Sequence, residues 1–453
     1  MIRNYSFQNE IAQYVMMRTF LIAQFFIAGI SGWLSAQSFN PILANKLQNT
    51  IDIIRANNNV KGISACVVYP GMGTWKGVTG ISYPGVPINS EMEFGIGSNT
   101  KLFTGVLILK LAENNLINLD DSLYQYLPPL KYVNPNITIR QLLNHTSGLD
   151  DVTNITGYPD SMLTNPNRIF TPGELLTWIG PPLFAPGTDW NYCNTNYLLA
   201  AMIAESRTGR TYAQLLRDSI LKPLNLDSTF LDVYESVLYP VAHPWQGGVN
   251  NISIPRKSIN SAAWAAGAMY STSGEMAQWY HALMDGKVLH PNSLKEMTTF
   301  VGSGNYGIGI SKAIINGRTV WQHGGTIWGG YNSSMMYDTA SRVIVCVLIN
   351  QLPAQAHQVA AQIISAIFNN ATNLSENVEE KVLSIPYPNP CNDMVQLDIP
   401  EQELIEINVV SYAGQLMMKS TENRFLISDL PSGIYFLNIQ TKHRNFNRKI
   451  YKP

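Results

Sequence analysis

The chain has 453 residues, of which 45% are hydrophobic and 13% are charged, and its formal net charge is −1. This length predicts two or three folded units, and the apolar content suffices for a sizeable core, which excludes wholesale disorder. The balanced charge predicts that the protein has no nucleic-acid partner.

The first 37 residues have the pattern of a secretory signal. Arg18 precedes an apolar run over residues 19–30, and small residues follow at 35 and 36. A positive charge, a short apolar stretch and small residues before a cleavage point are typical of such signals. Because a signal normally begins near its first methionine, we expect the true start at Met16 or Met17. An uncleaved inner-membrane anchor is the alternative.

The order of predicted elements indicates an α+β fold. Residues 42–54 have the apolar spacing of a helix, residues 62–69 read as a strand, and a second strand follows the turn at 70–73. About 200 mostly helical residues come next. Strand patterns then return at 306–315, 318–323, 331–337 and 342–350, before a closing helix at 354–368.

This order predicts an antiparallel sheet built from both ends of a catalytic region, flanked by helices, with an inserted helical domain. The region spans residues 40–370, and we expect the site in the cleft between sheet and helices. Residues 371–382 are polar and predict a linker. Residues 383–453 have short alternating segments, which predict a small C-terminal β-sandwich.

The cysteines and histidines indicate neither a metal site nor a cofactor. The four cysteines form no CxxC pair, and the seven histidines form no HExxH. Cys66 and Cys346 lie in predicted strands, which leaves open a disulfide bridge between them.

Ser98-Asn-Thr-Lys101 is the first candidate for catalytic chemistry. Lys101 opens an apolar-periodic helix, and a spacing of three places the serine and the lysine on the same face. A serine nucleophile needs a base and donors for the oxyanion, and a helix start favours developing negative charge. A partly buried lysine can lose its proton near neutral pH and serve as that base.

Single motifs of this kind are weak. Ser219-Ile-Leu-Lys222 has the same spacing but reads as a helix end, and Tyr-x-Asn occurs three times. His145 and Ser147 suggest a Ser-His pair but fit a structural turn better. No G-x-S-x-G occurs in the chain, which argues against an α/β-hydrolase nucleophile.

The order of the motifs is more specific than any one of them. Ser98-x-x-Lys101, Tyr192-Cys-Asn194 and His323-Gly-Gly325 follow one another along the chain. This set resembles the serine β-lactamase-related family of class C β-lactamases, D-alanyl-D-alanine carboxypeptidases and esterases. The resemblance covers about residues 40–370 and extends to blocks at 137–149, 185–197, 264–272 and 306–309.

The resemblance implies the catalytic roles. Ser98 would be the acylated nucleophile and Lys101 its proton acceptor. Tyr192 would pass protons to the leaving group and activate the deacylating water, with a pKa that Lys101 lowers. His323 stands where relatives have a lysine or histidine and would support Tyr192.

The resemblance also implies the binding roles. Asn194 would hydrogen-bond the substrate amide, and the backbone N–H groups of Ser98 and Thr326 would form the oxyanion hole. Gly324 and Gly325 would keep their strand clear for the substrate backbone. Relatives that bind penicillins or D-alanyl-D-alanine commonly have threonine at the place of Gly324. Its absence favours peptides or esters other than those with a free carboxylate.

The C-terminal region carries a second resemblance. Residues 387–390, Gly414-Gln415 and residues 430–437 resemble the C-terminal sorting domain of type IX secretion substrates. This implies the type IX machinery as a partner, export through the periplasm, and a secreted or cell-surface enzyme. A carbohydrate-binding or spacer domain is the alternative.

The sequence therefore predicts an exported hydrolase that acylates Ser98 with a peptide, amide or ester, D-alanyl peptides being the first choice of substrate. A β-lactamase and an esterase are the alternative enzymes. A surface binding protein that has kept the fold without the activity is the third alternative.

Overall fold

The computed structural model describes residues 39–368 except residue 156, and residues 391–453 except 398, 400, 401, 412–414, 443 and 444. The predicted signal region and the linker at 371–382 lie outside the described residues. The chain divides into two compact units, with the boundary between Ile367 and Phe368. Each unit is described by itself.

The first unit is built on a seven-stranded antiparallel sheet in the order β3-β2-β1-β12-β11-β10-β9. Its strands are numbered along the chain as β1 (Gly62–Tyr69), β2 (Gly73–Tyr83), β3 (Val86–Pro87), β4 (Phe94–Gly95), β5 (Phe230–Leu231), β6 (Trp245–Gln246), β7 (Val249–Asn250), β8 (Met269–Ser271), β9 (Ser311–Ile315), β10 (Arg318–Ile327), β11 (Tyr331–Asp338), β12 (Ile344–Ile349) and β13 (Gln351–Leu352). Strands β4, β8 and β5 form a small second sheet, and β13, β6 and β7 a third.

Helices cover this sheet and fill the middle of the chain. They are α1 (Pro41–Asn57), α2 (Thr100–Glu113), α3 (Ile139–Leu143), α4 (Tyr158–Thr164), α5 (Pro172–Leu176), α6 (Thr195–Thr208), α7 (Tyr212–Leu216), α8 (Arg256–Gly267), α9 (Ser273–Met284), α10 (Pro291–Met297) and α11 (Ala356–Phe368). Helix α9 packs against β1 and β12, and α1 packs against β2. Strand β12 is buried along its whole length because helices cover it, and its sequence is accordingly apolar throughout.

The capping residues explain where several helices begin. Asn40 accepts hydrogen bonds from the N–H groups of Ile42 and Leu43, and Pro41 occupies the first helical position of α1. Thr272 accepts from the N–H of Glu275 and starts α9 in the same way. These side chains satisfy N–H groups that have no partner within the helix.

The predicted α+β fold is confirmed: the central sheet takes β1–β3 from one end of the unit and β9–β12 from the other. The strand predicted at 306–315 begins only at Ser311. The reason is Gly309, which has φ +69° and approaches helix α2 so closely that a Cβ there would lie 2.7 Å from the Cα of Leu102. Residues 306–310 therefore form a turn against α2.

The second unit is rich in strands. Strands β15 (Leu404–Ser411), β16 (Leu416–Ser420), β18 (Gly433–Thr441) and β19 (Asn445–Lys452) form an antiparallel sheet in the order β16-β15-β18-β19. Strands β14 (Met394–Gln396) and β17 (Arg424–Leu426) pair separately. Their buried side chains share one core, in agreement with the predicted C-terminal β-domain.

Candidate active site

Ser98 lies in a 3-10 turn (Gly97–Asn99) that leads directly into helix α2. Gly97 has φ +52°, and a Cβ there would lie only 2.6 Å from the backbone nitrogen of Thr326 in β10. Glycine is therefore required for this close approach. The contact brings the backbone at Ser98 next to Thr326, at a helix N-terminus that favours developing negative charge.

Lys101 is fully buried one turn into the site. Its Nζ lies 3.1 Å from Ser98 Oγ, 2.7 Å from Asn194 Oδ1 and 2.7 Å from the carbonyl oxygen of Ala266. A neutral amine has two N–H donors and one lone pair. The amide and carbonyl oxygens only accept, so they take the two hydrogens, and the lone pair is left for the Ser98 hydroxyl.

Burial lowers the pKa of Lys101 to about 7, against a smaller effect of Asp151, which raises it. The cause is the loss of water around the charged form. Near neutral pH a large fraction of Lys101 is therefore the free amine that can accept a proton from Ser98.

Asp151 holds Asn194 in the orientation that Lys101 needs. The Asn194 side-chain nitrogen donates to both Asp151 oxygens, at 3.3 and 3.0 Å, and its backbone N–H donates to one of them at 3.0 Å. The carboxylate can only accept, so it fixes which end of the amide points to Lys101. Asn194 thus meets the protein at both ends of its amide, and it also lines the cavity beside Ser98.

The carbonyl of Ala266 reaches Lys101 because helix α8 is interrupted. Trp264 has φ 34° and ψ −121°, which is far from helical values, and its side chain is buried. Such a conformation persists only where the surroundings enforce it. Here the carbonyls on either side of the bend bind α2: that of Ala265 accepts from Thr104, and that of Ala266 accepts from Lys101.

Tyr192 lies beside the nucleophile. Lys101 Nζ is 4.9 Å from the centre of the Tyr192 ring, and the phenol oxygen is buried without a hydrogen bond of good geometry among the described residues. Burial raises the pKa of Tyr192, and the nearby Ser98 side chain partly opposes this. The expectation that Lys101 lowers the pKa of Tyr192 is therefore wrong. The phenol is neutral and acts as a proton donor.

His323 is buried and neutral, since burial lowers its pKa to about 3. Its Nδ1 lies 2.6 Å from the carbonyl oxygen of Gly324, so Nδ1 carries the proton. Nε2 therefore accepts the hydrogen bond from Tyr306, at 2.8 Å. The Tyr192 and His323 ring centres are 6.2 Å apart, so the observed partner of His323 is Tyr306.

His145 lies beneath Tyr192, with the ring centres 4.4 Å apart. Its Nδ1 accepts from the backbone N–H of Cys193 and from Asn196, and burial lowers its pKa well below the usual value. Ser147 donates to Asn196 and is 51 residues along the chain from neither ring partner of interest to Ser98 chemistry. The expected structural role of this block fits these contacts.

Gly324 and Gly325 differ in the room around them. A Cβ on Gly325 would lie 1.9 Å from the carbonyl oxygen of Ile96. A Cβ on Gly324 would meet nothing nearer than the Ser333 carbonyl oxygen, at 3.8 Å. Close packing of β10 therefore requires glycine at 325, whereas position 324 has space for a side chain.

The remaining polar groups show no metal chemistry within the part of the chain that the structure describes, where no group of three or more His, Cys, Asp or Glu side chains could hold an ion. The four cysteines are free thiols. Cys66 and Cys346 are directly opposite one another on β1 and β12. Burial raises the pKa of Cys193 to about 12, so this thiol beside the site is unreactive.

Sequence reasoning placed Ser98, Lys101, Tyr192 and Asn194 correctly in one cluster but missed three contributors to it. These are Asp151, Tyr306 and the carbonyl of Ala266. Tyr306 belongs to one of the family blocks, so a signal existed for it. Asp151 follows another block directly, but nothing in its neighbourhood indicates that it binds a side chain 43 residues away.

Residues 47–367, well over half of the chain, match the Beta-lactamase family model. The protein therefore belongs to the beta-lactamase family of serine hydrolases. It is similar to Protein flp of Staphylococcus aureus, with 29% identity over 234 residues, which cover 49% of this chain and 45% of that protein. The chain thus spans less than half the length of the curated relatives it matches first.

Two solved structures are similar over nearly their whole length. A D-stereospecific amidohydrolase from Streptomyces sp. is 29% identical with a TM-score of 0.61, covering 72% of this chain and 97% of that one. The D-amino acid amidase from Ochrobactrum anthropi SV3, in complex with L-phenylalanine amide, is 25% identical with a TM-score of 0.65, covering 72% and 99%.

The C-terminal unit matches a different family model. Residues 386–452 match the secretion system C-terminal sorting domain. This match supports export to the cell surface or the medium. Among the described residues, no helix has both the length and the apolar character to cross a membrane.

Proposed function

We propose that the protein is an exported hydrolase that forms an acyl-enzyme on Ser98 from a peptide, amide or ester. The observation that carries the proposal is the Lys101 amine, 3.1 Å from Ser98 Oγ with both of its hydrogens directed to fixed acceptors. A base with its lone pair directed at a serine hydroxyl is what nucleophilic catalysis requires.

The residues supply each step of the reaction. Ser98 Oγ attacks the acyl carbon as its proton passes to Lys101, and the N–H groups of Ser98 and Thr326 hold the oxyanion. Tyr192 donates its proton to the leaving amine or alkoxide and regains one from Lys101. Water then attacks the ester on Ser98 by the reverse sequence of proton transfers, which releases the acid and restores the serine.

The substrate is narrower than this chemistry. D-alanyl peptides are the first choice from the sequence, and the two solved relatives are named for D-stereospecific and D-amino acid amide hydrolysis. Both favour an acyl group of D configuration. The sorting domain supports handling by the type IX secretion machinery, which places the substrate outside the cell.

Titration with a fluorophosphonate tests the proposal. We expect one equivalent of the reagent to bind covalently and to abolish amide and ester hydrolysis in proportion. Hydrolysis that continues in fully labelled protein, or protein that takes up no reagent, would show that the activity does not run through an activated serine. The second result would favour the surface binding protein.

Gly324 gives a prediction about carboxylate recognition. Because position 324 has room for a side chain, Gly324→Thr should fold and add a hydroxyl donor beside the site. We expect acylation by substrates with a free carboxylate, such as a chromogenic cephalosporin or a D-alanyl-D-alanine peptide, to become about tenfold faster, since a hydrogen bond to a charged group contributes about 1.5–3 kcal/mol. A matched ester without the carboxylate should not change.

Gly324→Val is the matched control, because valine has the shape of threonine without its hydroxyl. Equal acceleration in both variants would mean that shape, and not hydrogen bonding, limits these substrates. The cephalosporin assay of the unchanged protein also separates the alternatives: sustained rapid turnover identifies a β-lactamase.

A further inference from the structure

A cavity of about 330 Å³ opens beside Ser98. Much of its wall is apolar and comes from helices α4, α6 and α8 and from the end of β10, through Tyr158, Met162, Leu198, Ile259, Ala262 and Trp328. All of these are buried except Trp328, which is 37% exposed. The cavity is therefore an apolar pocket that has Trp328 as its most exposed wall residue.

The lining residues show which part of a substrate enters the pocket. Ser98, Asn194 and Thr326 line it, and these are the nucleophile, the proposed amide-binding residue and one oxyanion donor. Among the described residues, Tyr192 and His323 are not part of the lining. Since Tyr192 serves the leaving group, the pocket lies on the side of the acyl group.

The wall offers no partner for a charge. Among the described residues that line the cavity, the polar ones are Ser98, Thr153, Asn194, Thr326 and the Tyr158 phenol, and none is ionised near neutral pH. A charged acyl side chain would lose its water here without gaining an opposite charge. An apolar side chain would instead leave water for a matching surface.

We propose that this cavity binds a neutral, apolar acyl side chain of leucyl or phenylalanyl size. The volume lies at the lower end of small-molecule pockets and exceeds what the methyl group of alanine fills. Tyr158 and Trp328, with ring centres 5.3 Å apart and nearly perpendicular, provide aromatic faces for such a group. The proposal rests on the proposed acylation of Ser98 and selects among its substrates.

A panel of para-nitroanilides of alanine, leucine, phenylalanine, glutamate and lysine, in both configurations, measures this selection. In the preferred configuration we expect kcat/KM for leucine or phenylalanine to exceed that for alanine by about 10- to 100-fold, the range for burying a large apolar side chain. Glutamate and lysine should be the poorest. Alanine or a charged residue as the best substrate would overturn the proposal.

Boronic acids give a second readout that does not depend on turnover, because they bond reversibly to an activated serine. Phenylethylboronic acid should inhibit about tenfold more strongly than methylboronic acid. Equal inhibition by the two would contradict an apolar acyl pocket while leaving the reactivity of Ser98 intact.

Two variants locate the effect. Ala262→Leu fills the pocket from α8 and should lower the ratio of phenylalanyl to alanyl kcat/KM at least tenfold. Trp328→Ala removes the half-exposed wall at little risk to folding and should lower the same ratio several-fold. Ala361→Leu, on the half-buried face of α11, is the control and should leave the ratio unchanged.

All rates are normalised to the fraction of Ser98 that a small fluorophosphonate labels, so that the two proposals fail in different ways. Labelled protein with no preference for apolar acyl groups overturns the pocket alone. Protein that neither labels nor binds a boronic acid overturns the proposed function, and the pocket proposal with it.

Discussion

Ser98→Ala is expected to lower kcat/KM for amides and esters by about 10⁴-fold or more and to abolish covalent labelling by a fluorophosphonate. The physical reason is that Ser98 Oγ is the atom to which the Lys101 lone pair points. Without it, only the oxyanion donors and the binding pocket remain to assist water. The measurement is steady-state hydrolysis of an activated ester together with gel fluorescence of the labelled protein.

The chain contains its own control for this variant. Ser219 and Lys222 have the same spacing as Ser98 and Lys101, but Lys222 is exposed at a helix end and has no lowered pKa to make it a base. Ser219→Ala should therefore keep full activity and full labelling. Labelling that disappears with Ser219 instead of Ser98 would assign the nucleophile to the wrong motif in our account.

Replacing Lys101 with arginine or methionine should lower kcat/KM by about 10²–10⁴-fold, the usual contribution of a general base. Arginine keeps a positive charge but does not give up its proton, and methionine has no proton to exchange. Both variants should therefore fail in the same step, acylation. Lys222→Arg is the control and should be fully active; a Lys101→Arg variant with unchanged acylation would exclude Lys101 as the base.

The same lysine sets the pH dependence. Because the free amine is the active form, kcat/KM should rise with pH through a midpoint near 7, where the pKa of Lys101 lies. Asp151 raises that pKa, so Asp151→Asn should move the midpoint to lower pH. The other titratable groups that influence Lys101 or are influenced by it, namely Cys193, His145 and His323, are neutral in this range because burial shifts their pKa values away from it.

Asp150→Asn controls for a merely structural effect. The Asp150 side chain binds the backbone N–H of Gly180, at 2.8 Å, and not Asn194. It should leave the midpoint in place. An unmoved midpoint in Asp151→Asn, whatever the loss of rate, would show that the carboxylate has no electrostatic influence on Lys101.

Stability follows from the same pKa. Below pH 7 Lys101 is charged in both the folded and the unfolded protein, so the cost of burying the charge is present in full. Between about 7 and the ordinary lysine value, the unfolded chain binds the extra proton, so the stability of the folded state rises with pH. Lys101→Met should remove this rise, which also shows that its loss of activity is not a loss of fold.

The sequence contained the central sheet and the reactive pair because both depend on local patterns. Residues 62–69 alternate as one strand, and Ser98 and Lys101 are separated by less than one helical turn, so their proximity follows from the helix itself. The end of the strand at 306–315 was missed because Gly309 bends the chain against α2, which is a tertiary contact.

The rest of the site could not be derived locally. Lys101 and Ala266 are 165 residues apart, and their contact depends on the unusual backbone of Trp264. The pKa of Tyr192 was predicted with the wrong sign because burial outweighs a neighbouring amine, and a motif does not show how deeply its tyrosine is buried. Long-range contacts and solvent exclusion therefore account for what the sequence lacked.

The most direct test of the account is to find where the acyl group sits during turnover. The protein is mixed with a saturating activated ester, quenched in acid within seconds, digested and examined by mass spectrometry. We predict one acyl group, on the peptide that contains Ser98 and on that serine. An acyl group on any other side chain, or steady hydrolysis by protein in which Ser98 has been replaced, would contradict the account.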